Sequence, residues 1–392
     1  MTNNVKQTVK LNIAIVGGGI NGIMTAWELL KQGHSVTLFE KDEVMKQTSS
    51  ASSKLLHGGL RYLENYEFRL VKEALKERQW WIKQAPHLAQ PLKLFIPIYK
   101  TSRRPAWMYK VGLWLYDTLA GKQNIGNHQS LTKQQMQQAC PEFKTEGLIK
   151  GFSYYDGQMD DYQLGLWALD QAKKSSCHCE EQSDVASTSR LALKEHTEVT
   201  QIDPQGNLTL ANGKMQTYDK IINIAGPWAE QLLKQSNIKP AYNLDPVRGS
   251  HILIEDTVIP SEGNKGYPKG NQLGYLLEIP NEHRIFFVLP YQGRRLIGTT
   301  EIRQTLSDDI KPSEQEIDYL INAYNYYFRV PISKQNIVQS FAGLRPLVKS
   351  TDNPNKATRE YAIEHNQNLI SVIGGKWTTA RQLAKKVSGL VK

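Results

Sequence analysis

The sequence is short of cysteine, of long apolar runs, of dense runs of one charge and of internal repeats, and each absence removes a class of protein. Three cysteines in 392 residues, Cys140, Cys177 and Cys179, make no even set of bridges, as expected of a reducing compartment. Cys177-His178-Cys179 is the one cluster with metal-ligand chemistry, and no second Cys/His pair stands at a spacing that completes a tetrahedral site, so no metal is expected. No uninterrupted apolar stretch approaches the roughly 20 residues that cross a bilayer. The leader MTNNVKQTVK carries no apolar segment, which argues against a cleaved secretory signal and for a cytoplasmic location. Lys and Arg outnumber Asp and Glu by 48 to 38, a net charge of +10. They nowhere gather into an arm, a zinc-finger pattern or an RNP pattern, so nucleic acid is not the expected partner. The excess points instead to a membrane surface or a phosphorylated metabolite.

What is present begins with a βαβ unit. Leu11 to Val16 is a short apolar run of the kind found in buried parallel strands. A helical stretch, Ile20 to Gln32, follows with Gly33 as its stop, and then a second strand, Val36 to Phe39. Between them Gly17-Gly18-Gly19-Ile20-Asn21-Gly22 satisfies G-x-G-x-x-G, and Glu40 closes the second strand. Gly17 permits the tight turn, Gly19 lets a pyrophosphate approach the backbone, and Gly22 lets helix and strand pack closely. The helix N-terminus offers N–H groups to the phosphates, and Glu40 accepts the ribose hydroxyls. NAD and FAD share this arrangement, so other residues must separate them. Thr48-Ser49-Ser50-Ala51-Ser52-Ser53-Lys54 gathers hydroxyl donors suited to a ribityl chain. Ala225-Gly226-Pro227-Trp228 brings backbone close after the strand Lys220 to Ile224. Gly374-Gly375-Lys376-Trp377-Thr378-Thr379 places a helix start where negative charge on a reduced flavin is stabilised. Taken together and in this order, these segments point to FAD.

A helix is expected over Tyr66 to Gln84, and Ser175 to Arg190 reads as a polar insert. After Gly249, HILI, GYLLEI, RIFFVLP and RLIGTT are short β-rich runs that form an antiparallel sheet, followed by a helix over Ser313 to Phe328. Lys93 to Lys110 interleaves basic residues with aromatics, as a peripheral membrane element does. Trp107, Val111, Trp114 and Leu115 share one helical face while Met108, Leu113 and Tyr116 cover others, and a helix apolar all round is more often buried.

Thr48 to Arg78 (TSSASSKLLHGGLRYLENYEFRLVKEALKER) resembles the signature of the FAD-dependent glycerol-3-phosphate dehydrogenases, of the D-amino-acid-oxidase-like flavoprotein superfamily. PAWMYKVGLWLYD, RGSHILI, IGTTE, AGLRPL, TREY and GGKWTT are similar to that family's segments in the same order. The resemblance implies an α/β chain. A discontinuous Rossmann-like FAD-binding domain would span 1–90, 145–235 and 338–392, and an interleaved α+β substrate domain with an antiparallel sheet would span 91–144 and 236–337. It implies oxidation of sn-glycerol 3-phosphate to dihydroxyacetone phosphate by hydride transfer to flavin N5. Electrons would pass to quinone or another acceptor, with peripheral contact on the cytoplasmic face of the inner membrane and homodimer formation as further expectations. Among FAD contacts it adds Asn21, Lys41, Lys54, Leu56, His57, Gly58, Gly59, Val199, Gly343 and Arg345 to Gly17, Gly19, Gly22, Glu40, Thr48, Ser49, Ser53, Ala225, Gly226, Trp228, Gly375, Lys376, Trp377 and Thr378. For the phosphate it implies Arg359 and Lys376, supported by Arg61 and Tyr62, with Arg345 beside the reacting oxygen; each of these cations taken singly also fits a surface ion pair. His57 and His251 are the candidate bases, because an imidazole titrates near working pH. His57, before two glycines, suits flavin contact or charge stabilisation, and His251 resembles the family's active-site histidine; a buried structural histidine is the competing reading for each. The family's IGTTD and GGKLTT read IGTTE and GGKWTT here, and with the sequence stopping at Lys392 the C-terminal helical domain usual in the family's bacterial respiratory members is expected to be lacking. A related oxidase of a 2-hydroxy or 2-amino acid, or a flavin-binding remnant without turnover, are the alternatives.

Overall fold

The computed structural model describes residues 9–177, 190–255, 273–306, 309–349 and 361–391. Most of the insert, Arg359 and the His178-Cys179 half of the cysteine cluster lie outside them, as does the side chain of Cys177.

Asn12–Val16 (β1) is hydrogen-bonded in parallel to Ser35–Phe39 (β2) on one side and to Lys220–Asn223 on the other. Leu191–Lys194 extends this sheet beyond β2, and Leu369–Gly374 extends it beyond Lys220–Asn223, both in parallel; antiparallel Tyr361–Asn366 closes that edge. The resulting six-stranded sheet explains the continuous apolar character of β1, since a parallel strand with both faces covered has no reason to alternate. Ile20–Lys31 (α1) packs beside it and against the helices Asp161–Cys177 and Ala380–Ser388. Caught between those helices and the sheet, α1 buries Ile20, Ile23, Met24, Trp27, Leu29 and Leu30. The chain's last helix therefore shares a core with its first.

The second layer is a ten-stranded mixed sheet. The four β-rich runs after Gly249 are strands of it, Leu244–Glu255, Gly274–Glu278, Ile285–Tyr291 and Arg294–Gly298, antiparallel to one another as expected. Leu148–Met159 pairs with Ala89–Tyr99, and Ile337–Val348 pairs with Leu244–Glu255. These two long strands thus belong to the mixed sheet, although the strand that follows each of them belongs to the six-stranded one. The strand Ile337–Val348 carries Gly343 and Arg345, and this crossing is what brings them over the cofactor-binding half. The helix Glu314–Tyr327 starts at a reciprocal cap, with Ser313 Oγ accepting from Glu316 N–H and the Glu316 carboxylate accepting from Ser313 N–H.

Phe68–Gln84 (α2) packs against Ala106–Ala120 (α3). The expectation that α3 is buried all round is corrected by the structure. Tyr109, Leu113, Tyr116 and Ala120 form one buried stripe, whereas Trp107, Val111 and Trp114 stand 68%, 48% and 58% exposed on the other side. Only one face of α3 finds a sheet to cover it. No helix among the described residues is long and apolar enough to cross a membrane.

Candidate active site

A cavity of about 540 Å³ runs from the glycine turn after β1 to the mixed sheet, a size suited to an organic ligand. Its first end is built by the βαβ unit. Gly17 has φ +117°, a left-handed conformation that side chains rarely adopt, and a Cβ there would lie 2.6 Å from the Ile224 carbonyl oxygen. A Cβ on Gly22 would lie 1.9 Å from the Gly17 carbonyl oxygen, so Gly22 does not line the cavity but sets how closely α1 meets the turn. α1 has no side-chain cap at Gly19; Ile20 N–H donates to Ser49 Oγ at 3.0 Å, and the helix end faces the cavity. Glu40 accepts from Gly18 N–H at 2.7 Å and from Asp42 N–H at 3.1 Å, and burial pushes its carboxyl above the ordinary range despite those bonds. Beyond it the Lys41 ammonium stands 4.6 Å from the centre of the Trp228 ring. The Asn21 Oδ1 atom is buried without a hydrogen-bond partner among the described residues, a polar atom waiting for a ligand. A helix start facing the cavity, a glycine cradle and this orphaned acceptor fit a dinucleotide such as FAD.

The other end holds charge. Arg61, Tyr62, His57, His251, Arg345 and Lys376 all line it, although they come from four separated stretches of chain. Lys376 sits 4.1 Å from the centre of the Tyr62 ring. Arg345 Nη2 donates to Thr299 Oγ1 at 2.7 Å and to the Thr300 carbonyl at 3.1 Å, which fixes the guanidinium. His251 is buried, stacks on Phe341 at 5.0 Å and 16°, and its Nε2 lies 2.9 Å from Ser53 Oγ. Burial first, then the nearby charges of Arg345 and Lys54, hold the His251 imidazole well below its ordinary pKa, so it is neutral at working pH.

That shift carries a sign. The folded state resists the proton that the unfolded chain accepts, so His251 removes stability as pH falls below its ordinary value of 6.5. The loss grows by at most about 1.4 kcal/mol per pH unit. Urea unfolding of wild type and His251→Gln between about pH 7.5 and about 5.5 should show a difference that narrows toward acid; parallel curves would contradict a neutral buried imidazole.

Of the other expected cofactor contacts, Gly17, Gly19, Asn21, Glu40, Lys41, Thr48, Ser49, Ser53, Gly59, Val199, Ala225, Gly226, Trp228, Gly343, Gly375, Trp377 and Thr378 also line the cavity. Lys54, Leu56 and Gly58 do not. Lys54 is buried in an ion pair with Asp161, Nζ to Oδ1 2.6 Å, and donates to the Ser50 carbonyl at 2.6 Å, bracing the hydroxyl loop from behind. Leu56 is fully buried in the main core. Gly58 N–H donates to Tyr116 Oη at 2.8 Å and to Asp156 Oδ1 at 3.1 Å, and a Cβ there would strike Leu75 and Tyr116.

Sequence reasoning passed over Asp156 and Glu301, both on the cavity wall. Asp156 is buried against Arg78 and Tyr116 at 3.0 and 2.9 Å, and burial raises its carboxyl above the ordinary range in spite of Arg78. Nothing in its local sequence marks it. Glu301 was visible only as the changed last letter of IGTTE. Among the described residues no group of three or more His, Cys, Asp or Glu is placed to hold a metal ion.

Comparison with known proteins agrees with this architecture. The chain is 34% identical over 386 residues to D-erythritol 1-phosphate dehydrogenase of Brucella abortus, covering 96% of this chain and 72% of that one. It is 35% identical over 384 residues to glycerol-3-phosphate dehydrogenase of Pseudomonas aeruginosa, covering 95% and 70%. The structure superposes with a TM-score of 0.72 on the glycerol-3-phosphate dehydrogenase of Bacillus halodurans complexed with FAD, at 23% identity, over 97% of this chain but 64% of that one. The chain thus spans less than two thirds of that Bacillus protein. Residues 12–387 match the DAO family, FAD dependent oxidoreductase, and the chain belongs to that family.

Proposed function

We propose that the protein oxidises sn-glycerol 3-phosphate to dihydroxyacetone phosphate, passing electrons to a quinone or another acceptor. The supporting observation is the convergence of Arg61, Arg345 and Lys376 with a neutral His251 on one wall of the cavity. A phosphate monoester is close to dianionic, and several fixed cations suit it better than they suit a lone carboxylate. In this reading Arg61 and Lys376, the latter steadied by Tyr62, take the phosphate, with Arg359 assigned the same role from its sequence context. Arg345, held by Thr299 and Thr300, lies beside the reacting oxygen and favours its developing negative charge. His251 accepts the hydroxyl proton at Nε2, the nitrogen that faces Ser53 Oγ. His57, next to the braced Gly58, contacts the cofactor. Bound FAD supplies the two-electron acceptor for the substrate hydride.

Anaerobic addition of sn-glycerol 3-phosphate should bleach the flavin absorbance, while glycerol, lactate and glycine leave it unchanged. Bleaching by lactate or glycine alone would transfer the protein to the hydroxy- or amino-acid oxidases, and no bleaching by any of them would leave a flavin-binding remnant. D-erythritol 1-phosphate belongs in the same titration, because a relative named for that substrate is 34% identical.

The exposed face of α3 supports peripheral membrane contact. Trp107 and Trp114 flank Val111 there, with Lys110 and Lys122 also exposed, and indole rings beside lysines suit an anionic lipid surface. Replacing both tryptophans by serine should weaken cosedimentation with anionic vesicles roughly tenfold per ring, from about 1.5 kcal/mol of lost burial each. Unchanged cosedimentation would remove α3 from the membrane, and a wild-type dimer lost in the double variant would give this face to a second copy of the chain.

A further inference from the structure

We propose that Glu301 is an internal counter-anion that loosens the grip of the cavity on phosphorylated ligands, and so sets how readily product leaves. The inference rests on the phosphate reading above. Glu301 lines the cavity on the segment that follows the strand Arg294–Gly298, and its side chain is 9% exposed. Three guanidinium groups surround it. Arg345 Nη1 is 3.5 Å and Arg61 Nη1 3.9 Å from Oε1, and Arg284 Nε is 3.7 Å from Oε2. Arg61 and Arg345 are two of the cations assigned to the substrate end, and both lean on the same carboxylate oxygen. Arg284 stands behind, stacked on Tyr319 at 5.4 Å and within 3.7 Å of Glu282.

The carboxylate therefore occupies the electrostatic place that an incoming anion must share. By Coulomb's law its charge opposes each ligand in proportion to that ligand's own charge, so a dianion is opposed about twice as strongly as a monoanion. A cluster of uncompensated cations would instead hold phosphate tightly in both substrate and product, a uniform binding that lowers KM without raising kcat. Two roles for Glu301 then predict opposite signs. A residue that merely positions Arg61 and Arg345 weakens phosphate binding when altered; a counter-anion strengthens it when neutralised.

The test uses FAD-loaded protein and inorganic phosphate, with acetate as the monoanion, followed by calorimetry and by the shift of the flavin spectrum. Glu301→Gln keeps the shape and removes the charge. It is expected to bind phosphate at least roughly tenfold tighter and acetate by a smaller factor, and kcat and KM for the phosphorylated substrate should fall together as release slows. Glu301→Asp keeps the charge and draws it back; it is expected to bind phosphate no more weakly than wild type, and remains informative if the Gln variant fails to load FAD. Weaker phosphate binding in either variant overturns the proposal and makes Glu301 a positioning residue. Wild-type protein that bleaches with a carboxylate substrate and shows no response to phosphate overturns the phosphate reading itself, and the inference with it.

Discussion

Arg345→Met should lower kcat/KM for the phosphorylated alcohol by about 100- to 1000-fold, the loss seen when one donor aimed at a developing oxyanion is removed. The expectation rests on how the guanidinium is held. Nη2 is engaged by Thr299 and Thr300 at 2.7 and 3.1 Å, while the side chain remains 23% exposed to the cavity. A fixed charge that still reaches the ligand favours the transition state without reorganising. Methionine fills similar space without charge, and Gly249, whose Cβ position lies 2.1 Å from Arg345 Nη2, leaves room for it. The measurement is single-turnover flavin reduction. A fall in the reduction rate with FAD still bound supports a place beside the reacting oxygen, and an unchanged rate with a raised KM assigns Arg345 to binding alone.

Lys54→Met is expected to destabilise the protein by about 3–5 kcal/mol, because it strands a buried carboxylate. Asp161 is fully buried and its side chain has 0% exposure against 6% for Lys54. Asp161 also accepts from Ser52 Oγ at 2.6 Å, so the pair ties the hydroxyl loop to the start of the helix Asp161–Cys177. Its carboxyl is already pushed up by burial and held down mainly by Lys54, so losing that charge drives Asp161 toward the protonated form. FAD affinity should drop with stability, since Thr48, Ser49 and Ser53 hang from the same loop. Denaturant unfolding of Lys54→Met, Asp161→Asn and the double variant forms a cycle; additive losses would show that the two side chains act independently.

The strongest parts of the sequence reading were local. G-x-G-x-x-G followed by Glu40 is a short-range pattern whose residues meet because one turn, one helix and one strand bring them together. The helix beginning near Ser313 and the strands after Gly249 were legible for the same reason. α3 shows the limit. Its apolar residues do surround the helix, but whether Trp107 and Trp114 are covered depends on whether another element lies over them, which helical periodicity does not encode. Lys54 shows another: its neighbours Ser53 and His57 line the cavity, while its own side chain turns inward because Asp161, distant in sequence, waits there. Asp156 could not be found at all, since a carboxylate within a β-rich run has no distinguishing spacing.

The sequence by itself determined the dinucleotide cradle and the kind of chemistry, because both depend on backbone freedom and residue type over short distances. Only the tertiary structure decided which charges face one another. Arg61 on a short 3-10 helix, Glu301 just past the strand Arg294–Gly298 and Arg345 on the strand Ile337–Val348 come from separate segments, and their encounter at one carboxylate follows from long-range packing rather than local preference.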